Sequence, residues 1–178
     1  MTRAELEHAI RAACDVAEDT EVYVFGSQAI LGQFPDAPGS IRKSIEADIA
    51  PKNKPENVDL IDGALGELSQ FHETHGFYVH GVPLETASFP DGWQSRVVQL
   101  ANENTRWNIG WCVEVHDLAA SKLAAFREKD RDFVRVLLQE LIVDAGRLRD
   151  RMMDFAIDEE RRKTILTWIE NMVQSLHE

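Results

Sequence analysis

A strand that ends in a Gly-Ser turn, followed by a strand with paired acids, is the feature that most constrains this fold. The first stretch, VYVFGSQAI (residues 22–30), is a β-branched and aromatic run that stops at Gly26 and Ser27 and then continues in a helical pattern. Glycine after a strand lets the backbone turn sharply and approach a phosphate, and a following helix start offers free N–H groups. A Gly-Ser pair at such a junction is also compatible with an ordinary turn.

The second stretch, SIEADIAPK (residues 44–52), places Glu46 and Asp48 two positions apart in a predicted strand. Residues two apart in a strand point to the same face, so both carboxylates should project together. The opposite face is expected to be buried, and it consists of Ile45, Ala47 and Ile49. Two acids that face the same way favour a site in which a hard cation takes oxygen ligands. The other interpretation is the solvent-facing side of an edge strand.

The rest of the chain predicts an α+β fold. Helical spacing of apolar residues predicts helices over residues 2–18 and 58–74, and strand patterns occur at 77–80, 84–89, 96–101 and 108–115. Every segment after His116 has a helical pattern, including 117–129 and 158–176. We therefore expect a mixed β-sheet with flanking helices over residues 1–115. A C-terminal helical part, residues 116–178, should pack on this core to form a single structural unit.

The charge of the chain limits its partners. The 178 residues carry a formal net charge of −12, which opposes non-specific binding to DNA, because such binding depends on neutralising phosphates with Lys and Arg. A nucleotide is still allowed, since a bound cation can reverse the local sign of the charge. Cys14 and Cys112 form no ligand motif and are expected to be reduced thiols of a cytoplasmic protein. No apolar stretch has membrane length, so we expect no membrane partner.

At this point the residues support a resemblance. A Gly-Ser turn, a loop and then acid–apolar–acid–apolar resembles the signature of the nucleotidyltransferase superfamily with the polymerase-beta-like minimal fold. More closely, the chain is similar to small bacterial nucleotidyltransferase-like proteins related to the toxin of the AbiE abortive-infection system. The run VEVHDLAASKLAAFREKDRDF (residues 113–133) resembles the segment that follows the sheet in those proteins, and FHETHGFYVHGV and SFPDGWQSR also fit the group. The resemblance spans about residues 21–138.

The resemblance assigns roles to the two opening stretches. Gly26 and Ser27 correspond to the phosphate-holding turn, and Glu46 and Asp48 correspond to the paired metal-binding acids. The first acid is Glu where Asp is commoner, and Ala50 stands where many members have another acid. The interval between the turn and the acids is also longer than usual.

Lys122 is the next candidate. It shares one helical face with Leu118 and Phe126, where a lysine is unexpected unless its ammonium reaches a cleft or a partner. The resemblance places it where a lysine contacts nucleotide phosphate. The alternative is a lysine that snorkels at the edge of the apolar stripe.

A third metal-binding carboxylate is expected on a neighbouring strand. We choose Glu85, because its predicted strand face is shared with Ala87 and Phe89, and a carboxylate on an apolar face needs a partner such as a metal ion. The other interpretation is an edge-strand glutamate beside Pro83 that points to water. Asp130 and Asp132, which match acidic positions of the resembling proteins, are the second choice. Their alternative interpretation is a pair of helix-end charges in local ion pairs.

Together these expectations describe a Mg²⁺-dependent nucleotidyltransferase that moves an NMP group from an NTP to an acceptor hydroxyl of an RNA, a protein or a small molecule. Glu46, Asp48 and Lys122 would be its catalytic residues. The resemblance implies a toxin–antitoxin or phage-defence setting with an antitoxin-like protein partner. The rival is a catalytically inactive binding protein on the same fold, acting as an antitoxin or regulatory partner.

Overall fold

The computed structural model describes residues 1–176. The helices are α1 (Arg3–Ala17), α2 (Val58–Leu65), α3 (Gln70–His75), α4 (Val115–Ala125), α5 (Glu128–Gln139), α6 (Ala145–Met153) and α7 (Glu159–Leu176). The strands are β1 (Glu21–Phe25), β2 (Glu46–Pro51), β3 (Tyr78–Gly81), β4 (Val98–Leu100) and β5 (Ile109–Cys112). A mixed sheet with flanking helices, followed by a helical segment, confirms the predicted α+β class.

The chain forms two compact units. The first comprises Met1–Ala87 and Arg96–Glu114, and it contains the whole sheet with α1, α2 and α3. The second comprises Ser88–Ser95 and the helices from Val115 onward. The last two residues of the predicted helical part, 177 and 178, lie outside the described residues.

The sheet has the strand order β3-β2-β1-β5-β4, with β1 at its centre. β1 is antiparallel to β2 and parallel to β5, while β3 is parallel to β2 and β4 is antiparallel to β5. The strand patterns predicted at 96–101 and 108–115 are therefore confirmed, and they form the antiparallel pair β4 and β5.

One face of this sheet is fully buried. Its residues are Val22, Val24, Ala47, Ile49, Val79 and Cys112, none of which is exposed to solvent. α1 adds Leu6 and Ile10, which are also inaccessible, and each such side chain stabilises the fold by about 1.5–3 kcal/mol. α1 begins with the capping box that its sequence predicts: the Glu5 amide donates to the Thr2 hydroxyl at 3.2 Å, and the Glu5 carboxylate accepts from the Thr2 amide at 2.6 Å.

A buried carboxylate ties the start of β1 to the loop after β2. Asp19 accepts hydrogen bonds from the amides of Glu21, Asn53 and Lys54 at 3.0, 2.7 and 3.1 Å, and from the Asn53 side chain at 2.9 Å. Burial alone would raise the pKa of Asp19, but these hydrogen bonds outweigh burial and lower that pKa. The bonds fix the start of β1, which leads to the Gly-Ser turn, against the end of β2, which carries the acid pair.

The predicted helix over 58–74 is two helices. α2 ends at Leu65, and the chain then turns through Leu68, which has φ 64° and is 83% exposed. Ser69 starts α3 by accepting a hydrogen bond from the His72 amide at 3.2 Å, so helix-capping chemistry interrupts the apolar spacing. α3 ends at Gly76, which adopts φ 74° and donates its amide to the His72 carbonyl.

The strand predicted at 84–89 is wrong. Leu84–Thr86 is a 3₁₀ turn that begins after Pro83. The Thr86 amide and hydroxyl both donate to the Pro83 carbonyl, at 3.0 and 2.7 Å, so the backbone is satisfied locally without a sheet partner. Glu85 is consequently exposed on a turn and does not lie on an apolar strand face. The predicted burial of Ile45 is also wrong: this residue is 45% exposed and lies just before the first residue of β2.

In the second unit, the helix predicted over 117–129 ends at Ala125, and Phe126 adopts φ 56°. Asp117, which is completely buried, pairs with Arg151 at 2.9 Å. α7 confirms the last predicted helix, with Ile165 and Ile169 buried. Within residues 1–176, no helix is both long enough and apolar enough to cross a membrane.

Candidate metal and nucleotide site

β2 presents Glu46 and Asp48 on the same side of the sheet. Ala47 and Ile49, which alternate with them, are fully buried on the opposite side, whereas both acids are half-buried. The alternation that the sequence predicts is therefore present in the structure. The buried face fixes the register of β2, since a slip by one residue would bring both acids into the core.

A histidine on the adjacent strand completes a group of three possible metal ligands. β3 is parallel to β2, and the register places Tyr78 beside Glu46 and His80 beside Asp48. The Nδ1 atom of His80 lies 3.0 Å from Oε1 of Glu46 and 3.3 Å from Oδ1 of Asp48. Among residues 1–176, these three are the one group of three or more His, Cys, Asp or Glu residues whose ligand atoms all lie within 4.8 Å of one another.

Tyr78 orients the first acid of the pair. Its hydroxyl donates to Oε2 of Glu46 at 3.1 Å, which leaves Oε1 facing His80. Burial, together with the negative charge and hydrogen bond of Glu46, raises the pKa of Tyr78 to about 12. The phenol therefore stays protonated near neutral pH and serves as a constant donor to the carboxylate.

The Gly-Ser turn lies directly against the second acid. Gly26 has φ 67° and ψ −172°, a backbone conformation that is essentially restricted to glycine. A Cβ atom at this position would lie 1.9 Å from Oδ2 of Asp48, so no other residue fits. Ser27 is half-buried and begins a 3₁₀ helix, Ser27–Gly32. The structure thus brings together the turn and the acid pair that the sequence selects.

The other predicted site residues have different surroundings. In the second unit, the Lys122 ammonium lies 3.9 Å from the Asp130 carboxylate and 5.8 Å from the centre of the Phe133 ring. Asp130 is 1% exposed and also accepts from the Arg127 guanidinium at 2.6 Å. Asp132 pairs with Arg135. The phosphate role of Lys122 and the ligand roles of Asp130 and Asp132 stay predictions.

The group of three does not contain Glu85, which lies on its exposed turn. His80, which belongs to the group, was not among the residues predicted from the sequence. Its signal was the alternation in FYVH, where Tyr78 and His80 share one strand face and Phe77 and Val79 share the other. A helical crossover between β2 and β3 also implies that the two strands are parallel.

The separations of His80 Nδ1 from the two carboxylate oxygens suit one divalent cation, and all three donor atoms lie within 4.8 Å of one another. Metal–ligand bonds of about 2.0–2.2 Å place neighbouring ligand atoms about 3.0 Å apart at right angles and about 3.4 Å apart in a tetrahedron. The observed separations from His80 Nδ1, 3.0 and 3.3 Å, lie in this range. The residues present can therefore hold a metal ion without rearranging their strands.

Comparison with known proteins identifies a family for most of the chain. The model of the family described as "Nucleotidyltransferase of unknown function (DUF6036)" matches residues 4–174. Searches of curated proteins and of solved structures returned no match. The closer similarity to the AbiE toxin group stays a prediction. The matched region includes the Gly-Ser turn and both strands of the acid–histidine group, which consists of Glu46, Asp48 and His80. The predicted superfamily is confirmed: this chain belongs to that nucleotidyltransferase family.

Proposed function

We propose that the protein transfers an NMP group from an NTP to an acceptor hydroxyl, using a divalent cation held by Glu46 and Asp48. The observation that supports this most directly is the convergence of the two carboxylates beside the Gly26 turn in a nucleotidyltransferase family member. In this reaction a bond forms between the acceptor oxygen and the α-phosphorus. The bond from that phosphorus to the bridging oxygen breaks, pyrophosphate leaves, and the hydroxyl proton is released.

The residues of the chain bind and orient the reactants. A divalent cation, with Mg²⁺ as the expected ion, supplies neutralisation of phosphate charge and activation of the hydroxyl. Glu46 and Asp48 hold the cation, and Tyr78 keeps Glu46 in position through its hydrogen bond. The tight turn at Gly26 lets the backbone beside Ser27 approach the phosphates. Few other groups are required, because nucleotidyl transfer depends mainly on positioning and charge neutralisation.

Charge makes binding depend on the metal. The net charge is −12, and two carboxylates face the proposed phosphate position, so the site repels a triphosphate in the absence of a cation. A bound divalent ion reverses that local sign. We therefore expect NTP binding only in the presence of a divalent cation.

The resemblance to the AbiE toxin group suggests the biological setting. We propose a toxin–antitoxin or phage-defence locus with an antitoxin-like protein partner.

One observation favours the rival function, an inactive nucleotidyltransferase-fold protein that binds a partner. The group of three contains two carboxylates and an imidazole, where two-metal transfer usually uses three carboxylates. A fold can persist after its activity is lost. Such a protein would act as an antitoxin or regulatory partner and would use its acidic surface to engage a basic protein.

Calorimetric titration with each of the four NTPs separates the two functions. We expect heat of binding with at least one NTP in Mg²⁺ or Mn²⁺ and none in EDTA, followed by label transfer from the matching α-labelled NTP to an acceptor. The measurement should use the whole chain. Absence of heat with all four nucleotides in both metals would contradict the proposed transfer and support the binding protein.

Replacing Lys122 tests the phosphate role given to it by the resemblance. We expect Lys122→Met to weaken NTP binding by about 1.5–3 kcal/mol, the value of a lost charge-assisted hydrogen bond, and to leave nucleoside binding unchanged. Asp130 keeps its ion pair with Arg127, so the second unit should stay folded. Calorimetry with the NTP and its nucleoside provides the comparison.

Lys129→Met, which removes an exposed charge from the same region, is the matched control. Equal losses for nucleoside and triphosphate would exclude a phosphate contact.

A further inference from the structure

The third donor of the candidate site is a nitrogen atom. His80 reaches the acid pair from β3, and the parallel pairing of β2 with β3 fixes its position, since His80 lies beside Asp48 and Tyr78 lies beside Glu46. Its Nδ1 atom contacts oxygens of both acids, at 3.0 and 3.3 Å. The backbone of His80 is therefore placed by strand register, and its imidazole, 47% exposed, lies against the two acids.

A single ring nitrogen of His80 lies close to both carboxylates. One nitrogen faces both carboxylates at once, at separations that suit adjacent positions around a single cation with bonds of about 2.1 Å. Oε2 of Glu46 is engaged by Tyr78, so Oε1 is the oxygen directed to the shared centre. The donor set at that centre is two carboxylate oxygens and one imidazole nitrogen.

This donor set differs chemically from three carboxylates. Mg²⁺ is a hard ion that prefers oxygen ligands and retains bound water. Imidazole suits divalent ions of the first transition series, whose affinity for nitrogen and oxygen sites rises from Mn²⁺ towards Cu²⁺. Replacing one carboxylate by imidazole also removes one negative charge, which weakens the hold on Mg²⁺ more than that on a transition ion.

We infer that His80 is a metal ligand and that the Glu46–Asp48–His80 group selects a first-row transition ion over Mg²⁺. The inference rests on the metal site of the proposed function and specifies which ion this site prefers. It changes the expected cofactor from Mg²⁺ to an ion of the Mn²⁺ type. His80 is the specificity-determining residue.

Metal binding by the whole chain tests the inference without any activity assay. Mn²⁺ affinity is measured from the electron paramagnetic resonance signal of the free ion, and Mg²⁺ affinity by calorimetry, at mildly alkaline pH, where imidazole can bind a metal. We expect Mn²⁺ to bind at least about tenfold more tightly than Mg²⁺. Pulsed resonance of bound Mn²⁺ should show coupling to a ¹⁴N nucleus.

Two variants and a control assign the effect to His80. His80→Ala should lower Mn²⁺ affinity about tenfold or more and abolish the ¹⁴N coupling, with a much smaller change for Mg²⁺. His80→Asp rebuilds a set of three carboxylates and should shift the preference towards Mg²⁺. His75→Ala, which removes an exposed imidazole from the same unit, should change neither affinity. Circular dichroism checks that each variant is folded.

The inference is overturned if bound Mn²⁺ shows no nitrogen coupling, or if His80→Ala leaves the ratio of Mn²⁺ to Mg²⁺ affinity unchanged. In that case His80 only forms an ion pair with the acids. The ¹⁴N result on the unaltered protein decides the matter if a variant does not fold. Failure of the proposed function looks different: Mn²⁺ would bind with nitrogen coupling, yet no NTP would bind in its presence.

Discussion

Gly26→Ala should disrupt the metal site and destabilise the first unit. The new Cβ would lie 1.9 Å from Oδ2 of Asp48, far inside van der Waals contact, so the carboxylate or the turn must move. The backbone conformation, φ 67° and ψ −172°, adds its own cost for any residue with a side chain. We expect the free energy of unfolding to fall by about 2–4 kcal/mol and divalent-ion affinity to fall by more than about tenfold. Denaturant unfolding and metal titration measure the two effects.

Gly76→Ala is the matched control for this substitution. Gly76 also has a positive φ, 74°, but a Cβ there would meet nothing within 4 Å. This control should cost about 1–2 kcal/mol for the left-handed conformation and leave metal affinity unchanged. If the two substitutions behaved alike, the close approach of Gly26 to Asp48 would have no functional role.

The double variant Glu46→Ala/Asp48→Ala should lose divalent-ion-dependent NTP binding altogether. Both carboxylates are removed from the group of three, which leaves His80 as its single member. The fold should be nearly unchanged in stability, because the relief of repulsion between two half-buried acids offsets the lost hydrogen bond from Tyr78 to Glu46. Calorimetric titration with the NTP and metal measures the binding, and denaturant unfolding measures the stability.

Glu56→Ala/Glu73→Ala removes the same charge from exposed positions of the first unit and should retain binding. Unchanged NTP affinity in the Glu46/Asp48 double variant would disprove the metal assignment. An equal loss in the control would instead show that net charge controls binding.

The acid pair was predictable because it depends only on local alternation. Glu46 and Asp48 are separated by a residue that must be buried, and this fixes their common direction wherever β2 lies in the sheet. Alternation in FYVH gives the strand face of His80, but its place beside Asp48 depends on the register between β2 and β3, which pairs residues more than thirty positions apart. The strand predicted around Glu85 was wrong for a different reason. Pro83 and Thr86 close a 3₁₀ turn in a segment whose apolar residues predict a strand.

Some helix ends were also predicted wrongly, and tertiary packing explains the early end of α4 at Ala125. Phe126 ends α4 with φ 56°, an unusual conformation for an aromatic residue. Its ring lies under the guanidinium groups of Arg131 and Arg161, with 4.9 and 5.0 Å between each group and the ring centre. Trp168 packs edge-on at 6.3 Å. These contacts offset the backbone strain. All three partners lie on other helices, Arg131 on α5 and the other two on α7, so the local pattern continues past the true end of α4.

The position of β1 also has a consequence for how the chain folds as it is synthesised. β1 lies between β2 and β5, so Val24 faces Ile49 on one side and Cys112 on the other. β2 is available soon after β1, but β5 is made only after most of the first unit has emerged. Until β5 is made, the backbone N–H and C=O groups on the β5-facing edge of β1 have no strand partner. This favours slow folding and pairing with other chains. Fragments that stop before Ile109 should therefore aggregate, even though they retain every residue of the acid–histidine group.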